Sequence, residues 1–151
     1  RAESGAIEGL RLEAQKAGEA GNVDVAGIAR DVLAGRAAML AGKPDEAAPL
    51  FAAAVAAQEK AFPVFDHFDP PPWWYPVRRS VAAADLKAGR YAEAISEANK
   101  SLKDWPQDAL ALRILSEAEA KQGAADAARG HLAEARRAWR GDLAKVSVDL
   151  I

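Results

Sequence analysis

Cysteine is absent from the 151-residue chain, which excludes disulfide scaffolds, thiolate zinc sites and cysteine nucleophiles. Long apolar runs are also absent, since no window approaches the roughly 18 uninterrupted apolar residues that a membrane helix needs. The first residues lack the charged-then-apolar pattern of a signal peptide. Acidic and basic residues nearly balance, at a net charge of −2. We therefore expect a soluble protein without a membrane or nucleic-acid partner, and we favour the cytoplasm as its compartment.

Motifs of catalysis are scarce. The sequence has no glycine-rich phosphate loop and no nucleophile elbow around a serine, so Ser80 and Ser116 are interpreted as packing residues at helix crossings. Asp66, His67 and Asp69 could together bind a metal, but catalytic ligands usually come from separated elements, and we favour a carboxylate-capped turn. We expect no catalytic residues and no cofactor, with a metal-dependent enzyme that uses the 66–69 loop as the least favoured alternative.

Alanine makes up about a quarter of the chain, and apolar residues recur at helical spacing between short glycine, proline and asparagine breaks. This pattern predicts an all-α fold. Gly42, Gly89 and Gly123 are placed to end helices, while Asn22 or Asp24, Asp108 and Asp126 are placed to cap helix N-termini or to lie in their first turns. The seven predicted helices cover about residues 2–18, 23–41, 44–62, 74–88, 91–104, 107–122 and 124–140.

The three glycines also mark a repeat, because each is followed by a similar helix, and Gly89 and Gly123 are 34 residues apart. A helix-turn-helix period of this length, with small residues at the helix crossings, resembles tetratricopeptide repeats. Arg78 and Asp85 depart from the family pattern, which often has tryptophan and tyrosine there. The matching positions are Ala34, Gly35, Gly42, Ala47, Phe51 and Ala54; then Val81, Ala82, Gly89, Tyr91, Ala94 and Pro106; then Leu115, Ser116, Gly123, Ala128, Leu132 and Ala135.

The resemblance implies a right-handed superhelix of antiparallel helix pairs, an α-solenoid, in which the first helix of each pair lines a concave groove. The pairs would be about residues 23–62, 74–104 and 107–140, within one domain spanning 1–151. Because the chain begins with Arg1 and its only methionine is Met39, we expect a piece of a longer bacterial protein.

A proline-rich and aromatic segment at 63–76 interrupts the repeats, since Gly42 and Gly89 are 47 residues apart. It resembles a segment, approximately E-P-P-x-W-Y-Y-P-V-R, of the C-terminal repeats of some bacterial tetratricopeptide proteins, with Asp69 in place of the glutamate. Consecutive prolines favour an extended strap. We expect its rings to plug the helix pairs on both sides, with one or two lining the groove as the alternative. The rings are Phe62, Phe65, Phe68, Trp73, Trp74 and Tyr75.

Basic residues are predicted to face the concave groove. Arg36, Arg79 and Arg113 would point inward from successive helices, with Lys121 further along and with Trp74 and Tyr75 as ring contacts. Such a cluster could clamp a carboxylate or a phosphate. Tetratricopeptide co-chaperones hold a C-terminal carboxylate in a groove of Lys, Arg and Asn, but this chain lacks the asparagines. Alternatively, the arginines pair with acidic residues as ordinary solvated charges, namely Asp31, Asp85 and Glu117.

Two functions are compatible with this pattern. We favour a non-catalytic interaction module that binds a peptide or partner protein in its groove. The alternative is a structural domain that packs on a missing N-terminal part of its own chain. Trp105 and Trp139 are expected to pack against following helices. The apolar tail at 141–151 either folds back over the last helix pair, which we favour, or binds another molecule.

Overall fold

The computed structural model describes residues 2–63 and 73–151, and this part of the chain is helical and contains no strand. The predicted all-α fold is therefore confirmed. Two short 3₁₀ turns, Leu143–Lys145 and Val148–Leu150, follow the last helix. The helices are α1 (Ala2–Ala17), α2 (Ala20–Leu40), α3 (Pro44–Ala61), α4 (Arg78–Lys87), α5 (Tyr91–Asp104), α6 (Ala109–Lys121) and α7 (Ala125–Ala138).

Glycine ends the helices where the sequence predicts. Gly89 has a φ of 78°, its amide donates to Leu86 O at 3.2 Å, and the amide of Arg90 donates to Asp85 O at 2.9 Å. This pair of bonds satisfies carbonyl groups that the last turn of α4 would otherwise leave free, and the positive φ favours glycine. Gly42 and Gly123 end α2 and α6 in the same way.

The helix starts agree less well with the prediction. Asp108 caps α6, since its side chain accepts from the amides of Leu110 at 3.0 Å and Ala111 at 3.3 Å. Helix α4, however, begins at Arg78 rather than near residue 74. Pro76 accounts for part of this delay, because a proline disfavours the helical conformation of the residue before it.

Each helix packs against the next one in the chain, and α4 also contacts α6. Phe51, Ile28, Ile114 and Leu115 are the largest apolar side chains buried almost completely in the core. Alanines fill much of the remaining contact surface, which lets neighbouring helices approach closely. Those that are fully buried are Ala47, Ala54, Ala82, Ala83, Ala84, Ala94, Ala98, Ala111, Ala118 and Ala135.

Ion pairs occupy the two positions that depart from the tetratricopeptide pattern. Arg78 pairs with Glu97 of α5 at 2.5 Å and with Glu59 of α3, so it bridges the helices on both sides of α4. Asp85 is buried and accepts from Arg90 Nε at 2.8 Å. Burial raises the pKa of Asp85 above its ordinary value, against the opposing effect of Arg90. Arg78 and Asp85 are thus both held by ion pairs.

The C-terminal tail, residues 141–151, folds back along the helices as favoured, but it reaches beyond the last pair. Leu143 is buried beside Leu112 and Ala135. The turn at Val148–Leu150 contacts α2 and α4. Ile151, only 2% exposed, belongs to the same buried cluster as Ile28 and Phe51. The tail therefore crosses from the last helix pair to the first.

Candidate functional site

An open cavity of about 800 Å³ lies where the end of the proline-aromatic segment meets the loop between α5 and α6. The end of α7 and the C-terminal tail close its other sides. Three tryptophans contribute to its wall, together with two arginines and two aspartates. The lining residues are Arg36, Trp74, Tyr75, Pro76, Arg79, Asp104, Trp105, Pro106, Gln107, Asp108, Ala109, Leu110, Ala138, Trp139 and Leu150.

Tyr75 lies between two arginines at the inner side of this cavity. The guanidinium carbon of Arg36 is 5.2 Å from the centroid of the ring, and that of Arg79 is 4.9 Å from it, both within the range of cation–π attraction. Only 3% of Tyr75 is exposed, and this burial raises the pKa of its hydroxyl. The ring thus contacts one cationic side chain from α2 and one from α4.

Gln58 of α3 fixes the backbone on both sides of Pro76. Its Nε2 donates to Tyr75 O at 3.1 Å, and its Oε1 accepts from the amide of Val77 at 3.0 Å. These two bonds satisfy backbone groups that no helix uses at this point. Gln58 therefore sets the position from which the rings of Trp74 and Tyr75 meet the cavity.

The two arginines differ in their partners. Arg79 Nη1 lies 3.0 Å from Asp108 Oδ2, in a pair with little exposure on either side. Arg36 has neither an ion pair nor a hydrogen bond to any residue in the described ranges, and its Nε, like that of Arg79, is buried without an acceptor. Asp104 lies at the exposed rim. Arg36 is consequently the cation of this cavity whose charge the described residues leave uncompensated.

The sequence-predicted basic residues do not all meet in one place. Arg113 is outside this cavity, where its Nη1 donates to Leu143 O at 2.9 Å and Val146 O at 2.5 Å, while its Nε pairs with Glu117 at 2.7 Å. Lys121 is exposed at the end of α6 and does not line the cavity either. Arg36, Arg79, Trp74 and Tyr75 are therefore the predicted groove residues that the fold places together.

The alternative prediction, in which the three arginines pair with acidic residues, agrees with the structure only for Arg113. Glu117 does bind Arg113, whereas Asp31 pairs with Arg30 at 2.7 Å and Asp85 pairs with Arg90. Neither Asp31 nor Asp85 contacts the arginine that sequence reasoning assigned to a groove position. Arg30 and Arg90 thus pair with these two carboxylates, and Arg36 pairs with neither.

The aromatic segment contributes rings to both the core and the surface. Tyr75 is buried, and Phe62 and Trp73 pack half-buried against the core. Trp74 is 71% exposed although its ring centroid lies 4.9 Å from that of Tyr75. Phe65 and Phe68 lie outside the described residues. The expectation that all these rings plug the helix pairs is therefore wrong for Trp74.

Sequence reasoning missed Trp105, Trp139, Asp108 and Leu150 as cavity residues. The sequence does indicate that the two tryptophans occupy equivalent positions, because they are 34 residues apart, which is one repeat period. Equivalent positions of successive helix pairs face the same side of a helical array. The roles of Asp108 and Leu150 depend on contacts between distant parts of the chain, for which the sequence carries no pattern.

Metal-binding residues do not cluster in the described part of the chain, where no three His, Asp or Glu side chains lie close enough to hold an ion. His131 Nδ1 lies 2.8 Å from Glu119 Oε2, a pair between α6 and α7. Asp66, His67 and Asp69 are outside the described residues. Within residues 2–63 and 73–151, no helix is long and apolar enough to cross a membrane.

No family model matches the chain, and no curated protein shows significant similarity to it. The site is therefore interpreted from its geometry.

Proposed function

We propose that the protein is a non-catalytic interaction module and that the cavity around Tyr75 binds a short peptide segment of a partner protein. The ligand places an apolar or aromatic side chain among Trp74, Trp105 and Trp139, and a carboxylate against Arg36. The observation that carries this proposal is the Arg36 guanidinium at the wall of an aromatic cavity, which forms no ion pair within residues 2–63 and 73–151.

Aromatic surface supports the proposal energetically. Trp74 is 71% exposed, and a large ring in this state gains free energy when a ligand covers it. Tryptophan and arginine are also the residues that most often contribute strongly to binding at protein interfaces. A cavity of about 800 Å³ has the size of the sites that bind small ligands or a few side chains.

The charged residues of the cavity also determine which peptides it would prefer. Arg36 can bind a carboxylate through two parallel N–H donors, a geometry that a lysine could not offer. Arg79 is committed to Asp108, and Asp104 at the rim repels a second acidic group. The preferred peptide therefore carries one carboxylate next to its apolar anchor rather than an acidic run.

The arrangement of the helices is compatible with this role. Helices that pack in chain order, with an additional contact between α4 and α6, resemble the pairs of a tetratricopeptide solenoid. We extend the proposal to that architecture and to a bacterial origin, on the basis of the repeat pattern around Gly89 and Gly123. A solenoid would present α2, α4 and α6 on one concave face, and the proposal is supported by Arg36 of α2 and Arg79 of α4, which line the same cavity.

A peptide-display selection tests the proposal. Random heptapeptides are selected on the wild-type protein and counted again on an Arg36→Gln, Trp74→Ala variant. Arg129→Gln is the control, because Arg129 is an exposed side chain that does not line the cavity. We expect enriched peptides to combine an aromatic or aliphatic residue with one carboxylate, and to bind the double variant at least tenfold more weakly. Enrichment that survives in the double variant would contradict the proposal.

A second candidate function is structural, because α1 exposes two leucines. Leu10 and Leu12 are 61% and 44% exposed and, two positions apart on the helix, point to different sides of α1, so each offers a separate apolar contact for another domain. Self-association that disappears in a Leu10→Gln, Leu12→Gln variant, measured by sedimentation, would favour this role if the display selection enriches no peptide.

A further inference from the structure

The C-terminal tail crosses the first helix of each predicted pair in the order α6, α4, α2. Arg113 of α6 donates to the carbonyl oxygens of Leu143 and Val146. Ser80 of α4 donates to Ile151 O at 2.5 Å. The turn at Val148–Leu150 contacts α2 as well as α4. The tail thus lies along one face of three successive helices, as a bound peptide would.

Most of the polar contacts with the tail involve its backbone. Arg113 and Ser80 bind carbonyl oxygens, which every peptide possesses, so these bonds hold an extended segment without selecting its sequence. Selection arises instead at two side chains. Lys87 Nζ pairs with Asp149 Oδ1 at 2.9 Å, and Ile151 is buried in the core.

The two selected positions form a simple pattern. An acidic residue meets Lys87, and an aliphatic residue two positions later enters the apolar cluster of the core. Leu150 between them is 54% exposed, and Val146 and Val148 are half-buried against the same cluster. The surface therefore distinguishes an acidic-x-aliphatic segment from other extended segments.

Few side chains anchor the tail, since Leu143 and Ile151 are its only buried residues. The Lys87–Asp149 pair is partly exposed, and such pairs contribute little to stability. Gly141, with a φ of 112°, connects the tail to α7 and is followed by single 3₁₀ turns rather than by a longer helix. The covalent connection to α7 keeps the local concentration of the tail high at its site. A free peptide that makes the same contacts can compete with the tail.

We infer that the surface formed by Ser80, Lys87 and Arg113, here called the tail seat, is a second peptide-binding site. Its ligands are partner segments with an acidic residue two positions before a buried aliphatic residue, and the tail is the occupant that the chain itself carries. None of the three residues of the tail seat lines the cavity around Tyr75, although Leu150 of the seated tail does. The inference goes beyond the proposed function, and either can fail alone.

The test uses the full chain and a fluorescein-labelled, amidated peptide of residues 146–151, VSVDLI. Ile151→Asp places a charge in the buried position and releases the tail, whereas Lys145→Asp places the same side chain at an exposed tail position and leaves the tail seated. We expect the peptide to bind the Ile151→Asp protein at least tenfold more tightly than the wild type or Lys145→Asp, as measured by anisotropy. Circular dichroism verifies that each protein is folded.

A charge exchange provides a second measurement that does not depend on Ile151→Asp. In the Lys87→Glu protein, the native tail is repelled at Asp149, and a VSVKLI peptide restores an opposite charge. We expect VSVKLI to bind the Lys87→Glu protein at least about fivefold more tightly than VSVDLI does. On the Ile151→Asp protein, which keeps Lys87, we expect VSVDLI to bind more tightly than VSVKLI. Equal binding of both peptides to every folded protein, or no binding to any, would overturn the inference. Neither outcome affects the display selection, which depends on Arg36 and Trp74.

Discussion

The ring of Phe51 in α3 lies directly against Gly35 in α2. A Cβ at position 35 would come 2.6 Å from Phe51 Cε1 and 2.8 Å from Cδ1 and Cζ, distances that real side chains do not adopt. Phe51 is 1% exposed, so its ring has no solvent-filled space into which it could move. We expect Gly35→Ala to lower the free energy of unfolding by about 1–3 kcal/mol, the usual cost of overpacking, in chemical denaturation.

Gly27 in the same helix is the matched control, because a Cβ there meets nothing within 4 Å. Gly27→Ala should stabilise the protein by about 0.5–1 kcal/mol through the higher helix propensity of alanine. Phe51→Leu should recover part of the loss in the Gly35→Ala background. A Gly35→Ala protein as stable as Gly27→Ala would mean that α2 and α3 are further apart than the structure has them.

Trp74 and Tyr75 are adjacent in the chain but differ in burial. Tyr75→Ala should cost about 3–5 kcal/mol, as is typical for a buried ring, whereas Trp74→Ala should cost less than about 1 kcal/mol because the ring is exposed. Urea denaturation of the two variants measures both values. If both substitutions cost the same, Trp74 is covered in solution, and its proposed contact with a ligand must be abandoned.

Glu8 connects α1 to α2 and should make this contact sensitive to acid. Hydrogen bonds from Arg11 and from Arg30, at 3.0 Å, lower the pKa of Glu8 from 4.5 to about 2. Because the folded-state pKa lies below the unfolded value, the stabilisation is present above pH 4.5 and is lost as the pH falls toward 2. Carbon-detected NMR of the Glu8 carboxyl should give this midpoint.

Arg11→Gln should raise the midpoint of Glu8, whereas Lys16→Gln, also on α1 but without an ion pair in the described residues, should leave it unchanged. A Glu8 midpoint near 4.5 in the wild-type protein would show that the contact between α1 and α2 does not persist in solution.

Local features of the chain were predictable and distant contacts were not. Gly42, Gly89 and Gly123 were recognised as helix ends because a left-handed residue is favourable only for glycine, whatever surrounds it. The same holds for Asp108, whose cap involves amides two and three residues away. These interactions depend on a few neighbouring residues, so the sequence pattern contains them.

The site itself depends on contacts that no local pattern contains. Ser80 and Ile151 meet although they are 71 residues apart. Arg113 was expected in the same groove as Arg36. Its guanidinium instead donates to two carbonyl oxygens of the returning tail, because hydrogen bonds from a charged donor are strong. Spacing predicts which helix face a residue occupies. It does not predict which part of the chain returns to cover that face.

Asp108 provides the last prediction, because it both caps α6 and pairs with Arg79 of the cavity. Asp108→Asn keeps the cap and removes the charge, whereas Asp108→Ala removes both, so alanine should cost about 1 kcal/mol more in chemical denaturation. With Asp108→Asn, Arg79 loses its carboxylate partner and becomes a second cation of the cavity without an ion pair among the described residues. Peptides with one carboxylate, taken from the display selection, should then bind several-fold more tightly at low salt, and the gain should shrink at high salt. Weaker binding to Asp108→Asn would mean that the ligand of this cavity is not anionic.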